Sequence, residues 1–207
     1  NAIVDVVAHV DDQFINANDL TKGTMSLVDE AQAEIIYSSM GIGIECSGGS
    51  AANTIAALAS LGSSGAFIGK VKDDQLGKVF RHDITSLGVN FKTTANKDGL
   101  STARCMIHVT PDAQRTMQTF LGASTNLGPE DIDEAIIADA QITYLEGYLW
   151  DPEHAKQAFR KAAKAAASAG RLVSLSLSDP FCVDRHRDDF LDLVKNHVNI
   201  LFANEEE

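Results

Sequence analysis

From Gly128 onward, apolar β-prone runs alternate with helical runs at a spacing of about thirty residues, and no other feature limits the fold as strongly. Ile142 to Leu145 reads as a strand, and Pro152 to Ser168 as an Ala/Lys-rich helix stopped at Gly170. Leu172 to Leu177 reads as a strand, Asp188 to His197 as a helix and Ile200 to Ala203 as a strand. Pro129 to Ala138 reads as a helix led by proline, with Glu130 and Asp131 in its first turn. Strand–helix–strand units of this length cross over right-handed and build a parallel sheet covered on both faces. Ligands of such sheets gather beyond the carboxyl ends of the strands. Glu146, Asp179 and the pair Asn204 and Glu207 all fall at such ends.

The first half is organised around Ser47 to Leu61, S-G-G-S-A-A-N-T-I-A-A-L-A-S-L. Gly48 and Gly49 precede an Ala-rich helix that stops at Gly62, and Asn53 stands in its first turn. Bare backbone can approach a ligand closely, and a helix start offers free N–H groups and partial positive charge. The combination makes a polar socket for a hydroxyl-rich or anionic ligand; a tight turn before a core helix is the structural alternative. Ala2 to Ala8 reads as a strand carrying one acid, Asp5. Two environments suit that carboxylate: near a strand end facing a ligand, or facing solvent on an edge strand.

Asp11 to Gly23 reads as a polar, turn-rich segment, and Asp29 to Met40 as a helix with some strand character. Gly65 to Val71 reads as a strand, followed by a turn and by a helix from Gln75 to Leu87 closed by Gly88. Ser101 to Thr110 alternates with Ala103, Cys105, Ile107 and Val109 on one side; Pro111 and Asp112 turn the chain, and Arg115 to Leu121 returns. A two-stranded ribbon is marginal alone. It is expected to lean on the rest of the protein or on a partner, as a flap sharing a small sheet with the Phe14 region.

Net charge of −12 over 207 residues argues against a nucleic-acid partner. No apolar run reaches the length of a membrane span, and no secretory leader opens the chain. Cys46, Cys105 and Cys182 lack any C-x-x-C spacing, which suits a reducing cytoplasm. Both ends read as cut, so the chain is expected to be a portion of a larger domain. Neither the phosphate-loop, the dinucleotide nor the nucleophile-elbow pattern is present, and the six histidines show no metal-ligand spacing.

Four motifs in order resemble the ribokinase-like (PfkB) family of sugar and nucleoside kinases. They are G-G-S-A-A-N at Gly48–Asn53, I-G-K-V-K-D-D-x-x-G at Ile68–Gly77, V-T-P-D-A-Q-R-T at Val109–Thr116 and N-E-E-E at Asn204–Glu207. N-A-I-V-D at the start and the T-P-D-A-Q-R-T-M ribbon are most similar to the adenosine-kinase-like branch. The resemblance implies one ribokinase-like kinase domain over 1–207, truncated: a doubly wound, mostly parallel α/β sheet with a small β-sheet lid from about 11–40 and 91–121.

It further implies ATP-dependent transfer of the γ-phosphoryl group to a primary hydroxyl of a nucleoside, adenosine first, or of a sugar. By family pattern Asp5, Gly48, Gly49 and Asn53 hold the acceptor's hydroxyls, with Glu146 reaching the sugar as well. Asn204 serves the nucleotide phosphates and Glu207 organises Mg²⁺; a monovalent cation is a further family option. Arg115 is either a lid residue meeting the substrate or a ribbon charge in water. Phe14, Met106 and Phe120 are candidates for an apolar wall against a base. Ile55 and Lys72 stand where the family commonly has small residues, which blurs the substrate more than the reaction. The family's Gly-Ala-Gly-Asp loop, with its catalytic base, has no match here, so no catalytic residue is assigned and the segment alone is expected to be inactive. A non-catalytic binding relative is the alternative, and a homodimer through the lid is compatible with the ribbon.

Overall fold

The opening apolar run forms β1 (Ile3–His9), whose alternate residues go to different layers. A computed structural model describes all residues, 1–207, in two units, Asn1–Ser124 and Thr125–Glu207. In the first unit β1 is followed by α1 (Asp12–Ala17), β2 (Met25–Leu27), α2 (Glu30–Ser39) and β3 (Ile44–Gly48). Then come α3 (Ser50–Ser60), α4 (Gln75–Ser86), β4 (Ala103–Val109) and β5 (Arg115–Phe120). The five strands form one sheet in the order β2-β5-β4-β1-β3. β1 runs parallel to β4 and antiparallel to β3, β4 and β5 are antiparallel, and β2 is parallel to β5.

One face of this sheet is covered. Val4 and Val6 of β1 pack with Ala52, Phe67, Phe80, Ile84 and Phe91. The three phenylalanine rings sit 5.4 to 5.8 Å apart in tilted and edge-on contacts that favour their quadrupoles. Further along, Met106 and Phe120 pack on Ala33 and Ile36 of α2. That helix starts as the sequence predicts, with Asp29 and Gln32 in a reciprocal capping box.

Three local expectations change. The polar stretch after β1 contains α1, because Asp11 accepts from the Phe14 N–H at 2.8 Å and caps a short helix. Residues 65–71 form no strand: only isolated bridges, Ala66 to Asn90 and Lys72 to Asn96, pair the segment at its ends. Between them a side chain on Gly69 would collide with the Phe67 ring, which folds back over that glycine, and would press on Ala2. The ribbon β4–β5 does lean on the rest of the protein, through seven rungs with β1. Its other neighbour is β2 rather than the Phe14 segment, since Phe14 lies on α1.

In the second unit a 3-10 turn (Pro129–Asp131) precedes α5 (Glu134–Asp139), β6 (Ile142–Glu146), α6 (Glu153–Ser168), β7 (Leu172–Ser176), α7 (Pro180–Asn196) and β8 (Ile200–Phe202). The strands are all parallel in the order β6-β7-β8, as the rhythm requires. The helix expected over 129–138 is split. Asp131 turns back to the Gly128 N–H, and Asp133 caps a fresh start by accepting from the Ala135 and Ile136 N–H groups. α7 begins eight residues before the expected Asp188, capped by Asp179, and kinks at His186. Arg185 and His186 both bond Asp151. Trp150, fully buried, packs against Phe159 of α6 and Phe190 of α7.

Candidate functional site

The turn from β3 to α3 places the first group of candidate residues. Ile3 faces Gly48 and Asp5 faces Cys46 across the antiparallel pair. A Cβ built on Gly48 would land inside the Asp5 carboxyl group, so only glycine leaves that side chain its place. Gly49 follows at φ +90°, a conformation open to glycine, and caps α3 without any side-chain hydrogen bond to the helix's first N–H groups. The Asn53 N–H bonds the Gly49 carbonyl at 2.8 Å, so Asn53 stands one turn above Gly49 on the same helix face, and it is exposed. Asp5 therefore abuts the turn at Gly48, and Asn53 follows one turn into α3.

Asp5 lies on the less covered face of the sheet, between Cys46 of β3 and Cys105 of β4. Burial pushes its carboxyl up to about 6. Burial also lifts the Cys105 thiol to about 11, against a hydrogen bond from the Thr119 hydroxyl at 3.3 Å. The Cys46 thiol is raised by burial and then by Asp5 and Asp83. Around this group the face is apolar: Ile107 and Met117 are partly buried, whereas Met25 and Leu27 are exposed. Asp5 thus sits as a hydrogen-bond acceptor in a greasy, partly open surface.

The expected base-facing wall is corrected. Met106 and Phe120 are buried in the cluster with α2, and strand alternation puts both on the face opposite Asp5, which pairs with Cys105. Phe14 packs on His108 at 5.0 Å, on that same far side. Arg115 shares Asp5's face and is exposed, but it pairs with Val109, four rungs beyond Cys105, roughly 13 Å along the strand. A cavity of about 650 Å³ also opens on the far side. Its charged lining is already engaged: Glu30 by Ser101, Glu34 by Arg104 and Asp74 by Thr102.

In the second unit Glu146 closes β6, level with Ser176 of β7 and Phe202 of β8, so the strand ends form one rim. Glu146 is buried and accepts a hydrogen bond from the Tyr144 hydroxyl at 3.0 Å. Asp179 accepts from the Cys182 N–H at 2.7 Å and caps α7. Ser178 before it holds φ +81°, rare for a residue with a side chain, and its hydroxyl takes the Tyr148 N–H at 3.2 Å. Past β8, the Asn204 side-chain Oδ1 accepts from the Glu206 and Glu207 N–H groups, and its Nδ2 donates to Glu207 Oε1 at 3.1 Å. The N-x-x-E spacing is thereby realised as a local clasp. Tyr148, two residues past β6, and Phe181, in the first turn of α7, are exposed aromatics that the sequence reading did not single out.

No group of three or more His, Cys, Asp or Glu side chains could enclose a metal ion. Mg²⁺ needs no such cage: one or two carboxylates with waters and phosphate oxygens suffice, and Glu207 beside Asn204 meets that requirement. No helix is long and apolar enough to cross a membrane.

A parallel strand–helix unit with acids at its rim, and a mixed sheet holding a carboxylate beside a glycine turn, define an α/β protein of the adenosine-kinase-like fold. The family model for pfkB carbohydrate kinases matches residues 45–207, and the chain belongs to that family. It is similar to the solved adenosine kinase of Sinorhizobium meliloti, at 50% identity and TM-score 0.89 over 100% of this chain and 64% of that one. It is equally similar to a probable sugar kinase protein of Rhizobium etli CFN 42, at 50% identity and TM-score 0.89 over 100% of this chain and 63% of that one. An ATP-dependent ribose-1-phosphate kinase of Halopiger xanaduensis is 34% identical over 160 residues, 77% of this chain and 50% of that protein. The chain thus spans between half and two thirds of these relatives.

Proposed function

We propose that the full-length protein transfers the γ-phosphoryl group of ATP to a primary hydroxyl of a nucleoside, with adenosine the first candidate. The observation that carries this is Asp5: a desolvated carboxylate held open by Gly48, beside the start of α3 with Asn53 one turn in. An acceptor of that kind, on an apolar surface, suits vicinal hydroxyls whose carriage also has a flat apolar part. Ile107, Met117, Met25 and Leu27 on the same sheet face supply surface for a base.

In this account Asp5 and Asn53 bind and orient the sugar hydroxyls, Gly48 and Gly49 let backbone and carboxylate approach, and Glu146 meets a further hydroxyl. Asn204 orients nucleotide phosphate and Glu207 holds Mg²⁺, which when bound offsets phosphate charge. Arg115 is assigned an outer position, meeting substrate only at the far end of the sheet face. A sugar acceptor is the second reading, favoured by the equal identity to the probable sugar kinase protein.

The test is phosphate transfer from γ-labelled ATP by the full-length protein to adenosine, guanosine, ribose and fructose. Transfer to nucleosides, lost in Asp5→Ala, is the expected result. Transfer to fructose or ribose alone would move the assignment to sugars, and no transfer to any of the four would overturn it.

A further inference from the structure

Strands of a parallel sheet usually read as continuous apolar runs, because helices cover both faces. One face of the second unit's sheet departs from this. Tyr144 and Glu146 share that face of β6, and their partners in β7 are Ser174 and Ser176, giving a polar column that ends at the rim. Glu146 is 7% exposed and Ser174 3%. The Tyr144 hydroxyl donates to Glu146 Oε1 at 3.0 Å, and the Tyr144 ring meets Phe202 edge-on, 6.3 Å between centroids. A buried carboxylate needs donors, and a directed donor also sets which way the carboxylate turns. Burial, with Glu146 next, pushes the Tyr144 hydroxyl up to about 12, so it remains a donor throughout the neutral range.

We propose that Tyr144 is a positioning residue: it holds the Glu146 carboxylate in the rotation that meets an acceptor hydroxyl. This rests on Glu146 contacting the acceptor, as assigned above. It adds a role for a residue that never touches substrate itself.

The test is steady-state kinetics of the full-length protein carrying Tyr144→Phe, Glu146→Gln and both together, with the melting temperature of each. Tyr144→Phe removes one oxygen and keeps the ring contact with Phe202. It is expected to raise KM for the acceptor about tenfold, the scale of one hydrogen bond to a charged group, while KM for ATP and the melting temperature stay near wild type. Glu146→Gln is expected to raise acceptor KM at least as much, and the double variant to be no worse than Glu146→Gln, since the two act as one unit. If Glu146→Gln raises KM while Tyr144→Phe leaves it unchanged, or lowers only the melting temperature, the positioning role is overturned and the Glu146 assignment stands. Effects that multiply in the double variant overturn it equally. An unchanged acceptor KM in Glu146→Gln removes the Glu146 assignment and this inference together.

Discussion

Gly48→Ala is the most informative single change. Gly48 is not at positive φ, so alanine meets no backbone penalty there. The whole cost comes from the new methyl group, which would occupy the space of the Asp5 Cγ and both carboxyl oxygens. Relief to an ordinary contact requires the Asp5 side chain to swing away by about 1 Å or more, and overpacking of this sort costs about 1–3 kcal/mol. A catalytic or binding group displaced by about 1 Å commonly loses about a hundredfold in activity. Urea unfolding and acceptor kinetics in wild-type, Gly48→Ala, Asp5→Ala and the double variant separate the two effects. Asp5→Ala empties the space, so the alanine at 48 is expected to cost under about 0.5 kcal/mol in that background. Acceptor binding is expected to fall as far in Gly48→Ala as in Asp5→Ala. An equal destabilisation by Gly48→Ala in both backgrounds would refute the idea that this glycine exists to seat Asp5.

Other outcomes follow from the same geometry. Asp5 sits at about 6 in the folded chain, against about 3.9 in an unfolded one. The folded state therefore holds the extra proton between those values, and stability falls as pH rises through that window. Asp5→Asn is expected to be more stable than wild type at pH 7.5, by at most about 3 kcal/mol, and level with it near pH 3.5; a gap that ignores pH contradicts the desolvated acid. Phe80, fully buried among Phe67 and Phe91, should cost about 3–5 kcal/mol as Phe80→Ala in urea unfolding, and a loss below about 1 kcal/mol would place the core elsewhere. Asp179→Ala removes the cap of α7 and should cost about 1 kcal/mol; no loss at all would contradict the capping role.

The parallel sheet was legible because periodicity and punctuation agree there: each of β6, β7 and β8 appears where its apolar run stands. The start of α3 was legible because Gly48 and Gly49 act locally, in the turn just before an Ala-rich run. What failed was non-local. Residues 65–71 carry a strand's composition, but pairing with a segment distant in the sequence is limited to the bridges Ala66 to Asn90 and Lys72 to Asn96. Phe14, Met106 and Phe120 were chosen by residue type, whereas parity along β4 already set Met106 opposite Cys105 and hence opposite Asp5. The start of α7 was missed because Asp179 with Pro180 reads as a turn until the chain beyond is seen to stay helical. Asp5 itself was ambiguous between edge and site. The partner strands on both sides, β3 and β4, exclude the edge.

The most direct test of the hydroxyl-gripping socket is titration calorimetry of the full-length protein with adenosine and 2′-deoxyadenosine, repeated in Asp5→Ala and Asn53→Ala. A site built to bond a hydroxyl discriminates strongly against the analogue that lacks it. Wild type should bind the deoxy compound at least about tenfold more weakly, and both variants should bind the two ligands alike. Equal affinity for the two ligands in wild type, or full discrimination surviving in both variants, would contradict the account.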